Sequence, residues 1–263
     1  NTAGRASQGS NAIAIGNTAG QTNQGSSSIA IGVSSGSDTQ GANCVAIGAA
    51  AGSTVQSDNA VAIGYLTGAN NQGNSSVAIG NAAGQTNQAT SSVAIGVNAG
   101  SAAQGIASVA IGSAAGQTNQ GGDTVAVGNS AGANQQFRYT QGTGSISIGY
   151  QSGQNNQATG SIAIGYQSGQ NTQSTNSIAI GNAAGQSNQA ANSVAIGGNA
   201  GSSGHGSSSV AVGNGSGQYN QATQCVAIGN GVGGASQGSQ SIAIGHACAV
   251  SLQANGCVAM GPG

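Results

Sequence analysis

The chain of 263 residues has no Lys, no Glu and no Trp, a single Phe and a single Pro, and only five charged side chains: Arg5, Arg138, Asp38, Asp58 and Asp123. Each lack excludes a class of function. Nucleic-acid binding depends on Lys and Arg neutralising phosphates, and a helix lying on a bilayer needs a basic face. With two Arg and a net charge of −1, neither partner is expected. The longest apolar stretches run to about five residues, far short of the ~20 that cross a bilayer as a helix, so no membrane insertion is expected in this span. Aromatics at 2% leave too few large side chains for the thick core that a chain of this length would ordinarily build. The opening residues, NTAGRASQGS, lack the charged and apolar regions of a signal peptide, so such a leader is expected to be already removed or outside this span.

Fifty glycines and little charge would suggest low complexity if the residue order were random. It is periodic. Ile-Ala-Ile-Gly or a close variant recurs with its Gly at 16, 32, 48, 64, 80, 96, 112, 128, 149, 165, 181, 197, 213, 229, 245 and 261. The step is constant at sixteen except from Gly128 to Gly149, where five more positions are inserted. The unit is typified by residues 17–32, NTAGQTNQGSSSIAIG. Stacking the sixteen units gives sixteen columns. Columns 13 and 15 are Ile or Val, apart from Met260, and column 14 between them is Ala apart from Ser147. That alternation predicts a strand with two unlike faces. On hydrophobicity alone, Ile and Val are expected to point into a core and Ala to point out.

Column 16 is always Gly, and column 4 is Gly except Ala249, marking tight corners. Column 8 is Gln in fifteen units and His205 in the other. Such regularity predicts a buried ladder of stacked amides, exemplified by Gln24, Gln88, Gln120, Gln157 and Gln189. Units this short, rich in Gly and β-branched residues, do not make helix pairs. The expected fold is all-β, a parallel β-solenoid of sixteen coils forming one domain over 1–263, with coils ~4.8 Å apart. Two aliphatics per coil make a thin core. A lone rod is therefore expected to associate, laterally through its Ala strip or end to end through open strand edges.

The strand motifs NSVAIG at 192–197, SSVAIG at 91–96 and NSIAIG at 176–181 resemble the head repeat of trimeric autotransporter adhesins of the YadA type, and the likeness runs along the whole chain. Related repeats also resemble segments of phage and giant-virus fibres. The resemblance implies a left-handed parallel β-roll, three to a trimer, on a cell or virion surface, adhering to host protein or carbohydrate. The chain departs from the family's shorter unit by its GQTNQ segment, as at residues 20–24.

The resources for chemistry are sparse. His205 and His246 stand three coils apart, and the three Asp fall in columns 6, 10 and 11 of separate units. No catalytic set, cofactor or metal is expected, and the chain is read as a non-enzyme. The Gly clusters GNGSG (213–217) and GNGVGG (229–234) are corners of the repeat and lack the Lys of a phosphate loop. Cys44, Cys225 and Cys257 replace Ser in column 12, and Cys248 replaces Ala in column 3. Only Cys248 and Cys257, in one coil, are near enough to be considered for a disulfide.

The extra residues, read as a loop over 137–144, bring together Phe137, Arg138 and Tyr139, an aromatic and basic group suited to contacting a partner or to packing on its own rod. Tyr150 and Tyr166 share column 1 of adjacent coils and are expected to stack beside it. Residues 246–263, with Val250, Leu252 and Pro262, read as a cap or a junction. The leading function is an extracellular adhesive fibre segment, with a self-assembling filament as the alternative. An ice-binding solenoid is a weaker reading, because column 6 holds Thr only at Thr22, Thr54, Thr86 and Thr118.

Overall fold

The computed structural model describes residues 2–134 and 141–262. Among these there is no helix, and the chain divides into two compact units, 1–130 and 131–263. Each unit is a parallel β-solenoid. In the first, eight strands built from columns 13–15 run from Ile13–Ile15 to Val125–Val127, each paired in parallel with its counterpart one coil on, as Ile13 with Ile29. In the second, eight more run from Ile146–Ile148 to Val258–Pro262 in the same register. The opposite wall is built from columns 7 and 8, often joined by column 6. It has seven strands in the first unit, Asn23–Gln24 to Thr118–Gln120, and five in the second, Asn155–Gln157 to Tyr219–Gln221.

Most backbone bonds run to the coils before and after, with longer turn bonds at the corners, such as Ala51 N to Gly48 O at 3.3 Å. The amide of column 13 donates to the column 12 carbonyl one coil on, as in Val77 to Ser92 at 2.9 Å, and the column 16 amide donates back, as in Gly80 to Ile63 at 2.9 Å. Such bonds leave the corners to be shaped by local conformation. Column 16 lies near φ +120 to +135°, a region open in practice to Gly alone. A Cβ there would also strike the next coil's backbone, meeting Gly48 O at 2.6 Å from Gly32 and Gly181 O at 2.6 Å from Gly165.

The two faces of the strand are the reverse of the hydrophobicity-based expectation. Ala30, Ala46, Ala94, Ala179 and the other members of column 14 from the second coil to the fifteenth have no exposure, whereas the side chains of columns 13 and 15 are half-buried or exposed, with Ile63 at 36% and Ile148 at 37%. Interior volume decides this. A typical coil encloses one Gln, a small side chain of column 3 such as Ala83 or Ala99, and a small buried side chain in column 12, most often Ser, leaving no room for a branched side chain on that wall. In the second unit Ala179, Ala184, Ala195, Ala200 and Ala211 form one continuous cluster. The Ala strip is therefore no surface for lateral association.

Candidate interaction surface and its internal support

The outward face of each unit is set by what holds the inside together. In column 8, Gln24, Gln88, Gln120, Gln157 and Gln189 are all buried, and each donates Nε2 to the column 13 carbonyl of the preceding coil, as in Gln88 to Val77 at 2.9 Å and Gln189 to Ile178 at 2.8 Å. These bonds pin one wall of the solenoid to the other across the interior. Amide-to-amide bonds form in runs rather than continuously: Gln40 to Gln56 to Gln72 at 3.0 and 3.1 Å, and Gln141 to Gln157 to Gln173 to Gln189 at 3.2, 3.2 and 3.3 Å. The oxygens of Gln88, Gln104 and Gln120 have no partner, so the ladder expected to be interrupted only at His205 is broken there as well. The wall-to-wall bond, not the ladder, recurs along each unit.

Gln and the column 4 Gly belong together. A Cβ on Gly68 would meet Gln72 Oε1 at 2.6 Å, and one on Gly185 would meet Gln189 Oε1 at 2.5 Å. Column 4 is thus Gly because the Gln four positions on lies across it. Ala249, the one exception, stands in the last coil, where Gln253 is only partly buried. Ser147, the exception in column 14, is buried and its hydroxyl donates to Gln157 Oε1 at 2.5 Å, a second donor to an oxygen that also accepts from Gln141. Most column 12 hydroxyls donate to a nearby carbonyl, as in Ser92 to Ala89 O at 2.6 Å, while that of Ser145 has no partner.

With small and polar groups inside, the aliphatics face outward. Eight strands ~4.8 Å apart and three residues of ~3.3 Å wide give each unit roughly 400 Å² of this face in plan. Apolar patches of that size are often functional. Column 1 extends the face with Val33, Tyr65, Val97, Tyr150 and Tyr166, all at least 44% exposed. Tyr150 and Tyr166 stack, ring centroids 5.2 Å apart and planes 10° apart. Beside them lies an amide network that the sequence reading missed. Gln167 and Gln170 both donate to Gln151 Oε1 at 3.0 Å, and Gln186 donates to Gln167 and Gln170 at 3.2 and 3.3 Å. The repetition of YQSGQN at 150–155 and 166–171 was its signal, because identical residues one coil apart stand one above the other.

Phe137, Arg138 and Tyr139 lie outside the described residues. Gln141 occupies column 8 of their coil and is fully buried, and the amide of Gly142 after it donates to Gln157 O at 2.8 Å, so the coil resumes at 141, within the span read as a loop over 137–144.

The remaining chemical groups are dispersed. All four Cys are free, and the buried Cys44 and Cys225 thiols donate to Ser57 O and Gly238 O at 2.9 Å. Burial pushes the Cys44 thiol up from its ordinary range, making it less reactive. His246 is exposed, while His205 is buried. Among the described residues no group of His, Cys and Asp is placed to hold a metal, and no helix is long and apolar enough to cross a membrane. No protein-family model matches the chain, and no curated protein matches it.

Proposed function

We propose that this chain is a structural segment of an adhesive extracellular fibre, on a cell or virion surface, whose coils associate with further copies of the chain through their outward aliphatic face. The observation that carries the reading is that face: Ile and Val side chains on parallel strands, with residues such as Ile79, Ile111, Ile196 and Ile228 still 36–38% exposed. A surface that repeats every coil is best matched by one with the same spacing, and a second copy supplies it. Charge does not oppose the approach, since columns 13 to 15 hold no ionisable side chain in any coil. The likeness of the strand motif to adhesin head repeats supports the same reading and favours three chains. Stacked Tyr150 and Tyr166, with the amides beside them, offer flat rings and hydrogen-bonding groups to a host protein or carbohydrate. No catalytic role is proposed.

Native mass spectrometry at micromolar concentration tests this. The chain is expected to be oligomeric, and Ile148→Asp combined with Ile164→Asp is expected to give a folded monomer. A wild-type monomer across that range overturns the reading, and open-ended polymers that persist in the double variant favour end-to-end assembly instead.

A further inference from the structure

His205 is the one large interior side chain that breaks the column it occupies. It stands between Gln189 and Gln221 in the parallel register, 1% exposed, and neither ring nitrogen has a hydrogen-bond partner. The neighbouring coils have Gln189 bonded to Ile178 O at 2.8 Å and Gln221 to Val210 O at 3.3 Å, ties that the imidazole does not reproduce. We propose that His205 is a built-in acid-sensitive break, where protonation of a buried ring without a counter-charge unseats the coil 198–213 from the stack of the second unit.

The surroundings of the ring allow no easy accommodation of charge. From residue 141 to 262 the sequence has no Asp, Glu, Lys or Arg. On the strand after it, Tyr219 is 49% exposed, on the outer side, and in the same coil the Cys225 thiol is committed to Gly238 O. The strand before it, Ser187–Gln189, has no ionisable group, nor has Val210–Val212 within the His205 coil. The closest approach is by glycine: a Cβ on Gly201 would meet Nδ1 at 2.7 Å. Gln221 Oε1 has no partner of its own and is the sole group favouring the charged ring. Burial outweighs it and takes the imidazole from its ordinary 6.5 down to about 4.

The sign follows from linkage. The opened coil takes up the proton as pH falls through 6.5, while the closed coil resists until about 4. Closure is therefore favoured above the upper value and weakened by up to about tenfold per pH unit between the two, reaching roughly 300-fold only below the lower one.

The test is the unfolding equilibrium of the full chain between pH 7.5 and 4, beside His205→Gln, which restores the residue found in this column of the other fifteen coils. Asp38, Asp58, Asp123 and His246 are present in both chains, so their contributions cancel. The wild type is expected to lose about 150-fold relative to His205→Gln across the window, and Gln189→His to acquire a second loss of the same kind. Parallel pH profiles for wild type and His205→Gln overturn the proposal. An NMR titration of the His205 ring gives an independent reading: a midpoint near 4 supports it, and one near 6.5 refutes it.

Discussion

Columns 14 and 15 sit on the same strand, next to one another, and obey opposite rules. Column 14 is held to Ala, with Ser147 its single exception, because the interior is already filled by Gln and Ser. Column 15 admits Ile, Val and Met because it faces outward, where length is not penalised. In a solenoid this narrow, volume rather than hydrophobicity decides which side of a strand is the core.

The sharpest way to break the comparison is to put a branched aliphatic of the outward kind into column 14. Ala94 has no exposure, and Ala94→Leu adds a branched side chain to a filled space. We expect a loss of about 3 kcal/mol, from strain and a displaced Gln104, seen as a lower denaturant midpoint. An unchanged midpoint would mean that the interior is roomier than described.

A smaller effect tests the same volume limit at the corner. Gly84→Ala places a methyl where Gln88 Oε1 lies 2.6 Å away, at φ +52°. Ala249 adopts φ 51° in the last coil, so the conformation is reachable, but it is strained for any side chain, and the contact with the Gln88 amide adds to that strain. The expected cost is about 1–2 kcal/mol. Pairing it with Gln88→Ala removes the clash, so the second substitution should cost less in the Gly84→Ala background than alone.

Much of this architecture was legible in the sequence. The period of sixteen, the parallel register and the Gly corners follow from the columns, because a coil stacked on identical coils must repeat its backbone conformation. Which face was the core did not follow, since a period of two separates faces without saying which is buried. The usable signal was tolerance: columns 1 and 6 drift freely while column 14 admits only Ala and one Ser, the pattern of a steric limit. The link between Gly in column 4 and Gln in column 8 was visible as two regularities but not as one contact, because it depends on where a side chain folds back. Exceptions carried the rest. Ser147 is accommodated because its small hydroxyl finds a buried acceptor in Gln157, whereas His205 finds no partner for either ring nitrogen.

The central claim is tested most directly by placing the same charge on the two sides of one strand, as Ala179→Asp and Ile180→Asp. Circular dichroism reports the fold and native mass spectrometry the assembly. The account predicts that Ala179→Asp loses the β-sheet spectrum, since a carboxylate is buried without a partner, whereas Ile180→Asp keeps that spectrum and loses association. A folded Ala179→Asp beside an unfolded Ile180→Asp would contradict it.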